Sequence, residues 1–282
     1  MDQIFSQILN TVLMRPYVFV FLLVYLLGCS LHLGVKRAVL FCIAGYLIAW
    51  LSEYSSIHNG IPYGYYYYVE HTKGKELWVL GVPFFDSLSY VFLAYASYSM
   101  ALVVIAPVMS RKGKIYLLET KKIRNSVYTN ILGAIFFVYL DIVIDPVTLL
   151  GDRWFLGRIY GYPQRGVYFG VTVSNFIGWL VVGFLLIYAL RKIDYRLHTV
   201  KDWFWSGQPW RYTIGPGLYS GVMCFNLAVT FYIGEYTLGL VDVFIILLPA
   251  FLLYSLIRSK LSAQSSDDAL RAHISDFPDV KI

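Results

Sequence analysis

Five side chains that a membrane-spanning helix ordinarily excludes stand near the ends of apolar runs: Glu53, Asp86, Asp141, Asp145 and Asn175. Ionisable groups in such places are costly and call for a reason. Asp141 and Asp145 are four residues apart, so on a helix they share one face. Two carboxyl groups in a low dielectric repel, so one of them is expected to keep its proton, which is what a general acid needs. Pro146 disfavours helical geometry at the preceding residue, which predicts that the helix stops at Asp145. The plainer alternative is that Asp145 caps a helix end in water. Asn175 and Trp179 are also four apart, and their amide and ring would face a neighbouring helix or a ligand. Ser174 and Gly178 form a small-residue pair suited to close helix packing. Asp86 shares a face with Ser89 and Tyr90. Glu53 opens a stretch punctuated by Gly60, Pro62 and Gly64, which predicts a tight, shaped loop. Tyr63, Tyr65, Tyr66, Tyr67 and Tyr68 follow. They suit an interfacial aromatic belt or a wall whose ring faces hold an apolar ligand or a cation. His58 and His71 read as solvated loop residues.

These residues need elements to hold them. The chain has 282 residues, of which 58% are hydrophobic and 14% charged; its mean hydropathy is +0.61. Soluble domains average about 45–50% apolar and about 25% charged residues. The composition therefore excludes a disordered chain, a soluble nucleic-acid binder and a disulfide-stapled domain. It predicts an all-α, polytopic membrane helix bundle of about seven transmembrane helices. The apolar runs cover residues 17–33, 38–55, 84–109, 127–144, 171–190, 214–233 and 238–257. Residues 1–257 form the bundle domain, and residues 258–282 read as a polar, solvated C-terminal tail. The first run reads as an uncleaved span. Cys29, Cys42 and Cys224 lie inside apolar runs and suggest neither disulfide nor zinc. Six Lys and Arg residues flank one side of this topology and fifteen the other. That bias predicts a multi-pass protein of the cell membrane with its N-terminus outside and its C-terminus cytoplasmic. All five polar residues then lie near one face, the less basic one, where four carboxylates could converge in one pocket.

Missing features narrow the chemistry. There is no phosphate-binding glycine loop and no dinucleotide fingerprint. The last run holds no lysine for a retinal Schiff base. The five histidines, His32, His58, His71, His198 and His273, are scattered, so no metal site and no cofactor is expected. Glu235, in a short loop, reads as solvated. What remains is metal-free acid–base chemistry, or none.

The residues also resemble a known family. Glu53 followed by Gly60-Ile61-Pro62-Tyr63-Gly64-Tyr65 is one part of the likeness, and Gly81-Val82-Pro83 is the next. Asp141 with Asp145-Pro146, Trp154, Tyr168-Phe169-Gly170-Val171 and Ser174-Asn175-Phe176-Ile177-Gly178-Trp179 complete it. In this order they resemble the integral-membrane carotenoid biosynthesis proteins. That family includes the hydratases of acyclic carotenoid ends, among them bisanhydrobacterioruberin hydratase and the 1′,2′-hydratases. The likeness runs from about residue 53 to 179, with matching hydropathy elsewhere. It departs at Thr172, where the family's version has proline, and around Tyr162-Pro163-Gln164-Arg165. The resemblance implies a lyase that adds water to a terminal double bond of an acyclic carotenoid inside the bilayer. Asp141 or Glu53 would then donate the proton, Asp145 would activate water and Asn175 would position it. Tyr63, Tyr65, Asp86, Trp154, Tyr168 and Trp179 would contact the substrate. Other carotenoid-pathway enzymes are conceivable partners; nucleic acid is not. Two rival readings use the same residues: a proton-coupled transporter for a lipid or isoprenoid, and a non-catalytic carotenoid carrier. A cyclase would share the carbocation logic without adding water.

Overall fold

The apolar runs fold into a helix bundle, and the differences from expectation lie mostly at helix ends. The computed structural model describes residues 2–111, 113–197, 210–263 and 267–278. Lys112 and Lys201 of the charge count, His198 and residues 264–266 of the tail lie outside them.

A helix not foreseen by the sequence reading comes first. α1 (Asp2–Met14) meets α2 (Pro16–His32) at 88° around Arg15. Ile4, Phe5, Ile8, Leu9 and Leu13 form its exposed face. The buried Thr11 hydroxyl, on the other side, accepts a hydrogen bond from the Leu77 amide at 2.8 Å. This 3.6-residue spacing was readable. Pro16 occupies the first turn of α2, where its missing N–H leaves no helical bond unmade.

α3 (Val35–Asn59), α4 (Phe84–Ile105), α6 (Val127–Leu149), α7 (Val173–Arg196), α8 (Arg211–Tyr232) and α9 (Tyr236–Ser262) are each long and apolar enough to cross a membrane; the bent α1–α2 pair would make a seventh span. The four-residue α5 (Lys121–Arg124) precedes α6, and α10 (Asp267–Asp276) ends the described chain. α4 is the buried centre and packs against α2, α3, α6, α7 and α8. α9 lies at the edge, burying Leu238, Gly239 and Asp242.

Four expectations are corrected here. α4 stops at Ile105 rather than 109, because Pro107 cannot continue the helix; an antiparallel hairpin, Val108–Arg111 with Lys114–Leu117, follows. α6 runs through Pro146 to Leu149 rather than ending at Asp145. Pro146 removes one backbone donor, the N–H that would reach back to the Ile142 carbonyl, yet the helix continues three residues further, and the Trp154 indole gives the Val147 carbonyl a donor at 3.1 Å. The tail is not simply solvated: α10 docks, with His273 buried against the Glu119 carbonyl at 2.6 Å. The last span also extends past residue 257, so it contains Lys260, whose ammonium caps the Val103, Val104 and Ala106 carbonyls at 3.0, 2.6 and 2.8 Å.

Candidate active site

α3 ends where Gly60 turns left-handed at φ +72°, a conformation open to glycine at little strain. That stop leaves Glu53 facing the bundle in the closing turns of the helix, 1% exposed, with the Ser87 hydroxyl of α4 donating to its Oε2. The loop after Gly60 folds back onto α7. A Cβ on Gly178 would lie 2.4 Å from the Tyr63 ring and 2.7 Å from its Cα. The Ser174/Gly178 pair therefore admits this loop, rather than another helix as its spacing suggested. Tyr63 is held by the Ser52 and Ser56 side chains, each at 3.0 Å.

Tyr67–Tyr68 pairs antiparallel with Tyr160–Gly161, tying two distant loops into one roof. Tyr68 donates to Asp86 Oδ2 at 2.8 Å, and Tyr162 to Asp145 Oδ2 at 3.2 Å. Burial pushes the hydroxyls of Tyr66, Tyr68, Tyr160 and Tyr162 well above the ordinary phenol range. They stay protonated; Tyr68 and Tyr162 donate to the carboxyl groups below, and the Tyr66 hydroxyl lies 3.4 Å from that of Tyr68.

Those carboxyl groups converge. From α7, the Asn175 amide donates to Asp141 Oδ2 at 2.8 Å and to Asp145 Oδ2 at 2.7 Å. Glu53, Asp86, Asp145 and Asn175 line one cavity of about 110 Å³. One water needs about 10–15 Å³ of such space, so the cavity has room for water and the end of a branched chain. Tyr63, Trp154 and Trp179 also line it. Trp179 stacks on Tyr90, with ring centroids 4.8 Å apart and planes at 23°. Away from the carboxyl groups the wall turns apolar, with Phe21, Phe92, Val222 and Phe225.

Three candidates stand elsewhere. Asp141 is fully buried behind the wall and touches the cavity through Asn175. Tyr65 is 61% exposed and lies over Gly60, outside the cavity. Tyr168 packs against Phe169 and Phe176, also outside. Glu235 is partnered by Arg153 rather than left to solvent. Conversely, the sequence reading gives no role to Ser87, Tyr160, Tyr162 or Asn226, which surround the site, and counts Arg15 only among the six cations of the less basic side. Arg15 is 1% exposed and clamps Glu76 at 3.0 and 3.1 Å. Asp242 was passed over as well, although a carboxylate inside an apolar run is itself a signal.

The electrostatics are one-sided. Among the described residues, none of Glu53, Asp86, Asp141 and Asp145 forms an ion pair. Their partners are hydroxyls and one amide. Such groups can stabilise a carboxylate or accept from a carboxylic acid, so protons can shift among them.

Fold and site together define a polytopic α-helical membrane protein whose bundle encloses a cavity of clustered carboxyl groups and aromatic walls. The chain matches the family model described as carotenoid biosynthesis protein over residues 6–249, and it belongs to that family. No curated protein and no solved structure matches it.

Proposed function

We propose that this member of the carotenoid biosynthesis family is a hydratase that adds water to the terminal double bond of an acyclic carotenoid. The observation that carries the reading is the set of cavity-lining carboxyl groups with no cation paired to them among the described residues, beside stacked aromatic rings. Glu53, on the wall and hydrogen-bonded to Ser87, is the proton donor. Its proton adds to the less substituted alkene carbon and leaves a tertiary cation. Ring faces such as those of Tyr90 and Trp179 stabilise that cation. Water attacks it, and Asp145 takes the proton that the bound water must lose. Asn175 and Tyr162 orient Asp145 for this step. The sum is alkene plus water to tertiary alcohol; returning the proton from Asp145 to Glu53 closes the cycle. Asp141 shares the Asn175 amide and biases Asp145 toward holding one proton between the two. Because the substrate is apolar, a cavity within the bundle suits it better than a water-filled cleft.

The test is expression in a bacterium that already makes lycopene, with pigments separated and weighed by liquid chromatography and mass spectrometry. A more polar pigment heavier by one or two waters is expected. A new pigment of unchanged mass would replace hydration with cyclisation. No change with lycopene, and none with a longer acyclic carotenoid, would sink the hydratase reading.

A further inference from the structure

α1 reverses the arrangement of a helix packed on a protein in water, where the apolar face turns inward and the polar face meets solvent. Here Gln7 and Thr11 turn inward, onto the loop that carries Tyr67 and Tyr68. The Gln7 amide donates to the Gly74 carbonyl at 3.3 Å, and the Thr11 hydroxyl accepts from the Leu77 amide at 2.8 Å. Outward, Ile4, Phe5, Ile8, Leu9 and Leu13 are each between 47% and 69% exposed. Helical spacing gathers these five on one side. So long an apolar stripe is seldom left to water. Its neighbour indicates the medium that covers it. α2 exposes Val20, Leu23 and Leu27 along its length, as a span facing lipid does. α1 meets that span at 88°, so it runs along the bilayer surface rather than through it. Its 13 residues are too few to cross, whereas the 17 of α2 suffice, since a span takes about 17–25. The elbow between them is fixed. The buried Arg15 guanidinium binds both Glu76 oxygens at 3.0 and 3.1 Å and the Leu156 carbonyl, and it lies 4.4 Å from the centre of the Phe85 ring. Phe85 and Leu156 both line the cavity.

We propose that α1 is an interfacial anchor: it lies in the plane of the bilayer surface, with Ile4, Phe5, Ile8, Leu9 and Leu13 among the acyl chains, and holds the roof of the cavity at that surface. The partner is the phospholipid interface, recognised through apolar area rather than through a headgroup. The five side chains offer no donor, acceptor or charge, which suits a fluid partner better than a specific protein one. Through Gln7, Thr11 and the Arg15 elbow, the position of α1 is passed to the roof loop at Gly74, Glu76 and Leu77. The inference does not depend on the hydratase reading, because it concerns where the roof stands in the membrane and not what happens beneath it.

The test places single nitroxide labels on the full chain at Phe5→Cys, Leu9→Cys or Leu13→Cys, with Val20→Cys and Leu27→Cys on α2 as references. The background carries Cys42→Ser and Cys224→Ser; Cys29 is buried and stays. In phosphatidylcholine nanodiscs, paramagnetic resonance with oxygen and with a water-soluble nickel chelate gives the depth of each label. The three α1 labels should favour oxygen and share one shallow depth, about 5–10 Å into the boundary between headgroups and acyl chains. The two α2 labels should differ in depth by about 10 Å, the rise of seven helical residues. A depth that changes by about 12 Å from position 5 to position 13 would make α1 part of a bent span instead. Labels reached by nickel rather than oxygen would put α1 in water, and labels shielded from both would put it against a protein surface such as a second copy of the chain. Each of these three results overturns the proposal. For the roof, a label at the exposed Lys75→Cys should show faster motion when Phe5→Asp and Leu9→Asp are added together. Those two substitutions touch none of the bonds that join α1 to the loop, so an unchanged Lys75→Cys spectrum would overturn the anchoring role.

Discussion

Replacing Asn175 with leucine separates a site held by one amide from a site held by general packing. Leucine fills nearly the same space, and position 175 is 5% exposed, so little new surface or void is made. The change deletes two hydrogen bonds, of 2.8 and 2.7 Å, and takes a donor from each of two buried carboxyl groups. Asp145 keeps Tyr162 at 3.2 Å. Asp141 keeps nothing comparable: its Oδ1 has no partner among the described residues, and its Oδ2 is served by Asn175. A buried polar group stripped of its partner costs about 1–3 kcal/mol. Asp141 alone predicts a loss of about 1–3 kcal/mol, and the bond lost at Asp145, which keeps Tyr162, adds about 0.5–1.5 kcal/mol. The assay is reversible unfolding of purified protein in mixed micelles, followed by tryptophan fluorescence. Adding Asp141→Leu to Asn175→Leu removes both partners of one bond. The double variant should therefore be less destabilised than the sum of the two singles. Asn175→Leu within about 0.5 kcal/mol of wild type, the range of ordinary surface changes, would refute the reasoning. Strict additivity in the double variant would refute it equally.

Other perturbations probe the remaining parts. Glu53→Gln keeps an acceptor for the Ser87 hydroxyl and should fold normally, while product formation falls by about a hundredfold or more if Glu53 is the acid; pigment yield per unit of folded protein measures it. Gly178→Ala drives a methyl to 2.4 Å from the Tyr63 ring and 2.7 Å from its backbone. That overpacking should cost about 1–3 kcal/mol, whereas Tyr65→Ala, on an exposed ring, should be near neutral in thermal unfolding. Glu119 carries the pH prediction. Desolvation alone would raise its carboxyl, but Arg124 and His32 hold it well below the ordinary range. The unfolded chain therefore binds the extra proton first, and this stabilisation is full above the ordinary glutamate range and fades as pH falls through and below it. Unfolding midpoints measured from pH 7 downward should decline less steeply in Glu119→Gln than in wild type, although the variant starts about 3–5 kcal/mol lower for losing a buried pair.

How much of this was legible depended on whether the cause was local. Seven apolar runs gave seven helices because a span needs length and hydropathy, both of which are local. Convergence of Glu53, Asp86, Asp145 and Asn175 followed from alternating helix direction: each stands near the end of its run that points to one face. Depth within the wall was not legible. Asp141 and Asp145 share a helix face, but the extra turn between them puts one on the cavity and the other behind it. Pro146 does not end α6, because a proline removes a single helical N–H and the carbonyl it frees is one loss against the packing of the whole helix. Tyr160 and Tyr162 could not be assigned, since their place comes from pairing with Tyr67 and Tyr68 some ninety residues earlier in the chain. Tyr65 and Tyr66 show the same limit: adjacent and identical in type, one faces out and the other joins the roof.

Buried carboxyl groups that line the cavity and those that do not are handled in opposite ways, and the contrast argues for chemistry at the cavity. Away from the cavity, Glu119 has Arg124 at 2.9 Å and His32 at 2.9 Å, and Asp194 has Arg37 at 3.0 Å. Each carboxylate there is neutralised where it sits, and its charge is fixed by its partners. Around the cavity, Glu53, Asp86, Asp145 and, behind them, Asp141 have no ion-pair partner among the described residues. A chain with Arg15 so close to Asp86 could have paired it; instead Arg15 is committed to Glu76. Cations would pin these groups as carboxylates and abolish their use as acids. Leaving them unpaired costs stability, and what it preserves is the capacity to take up and release protons inside a membrane.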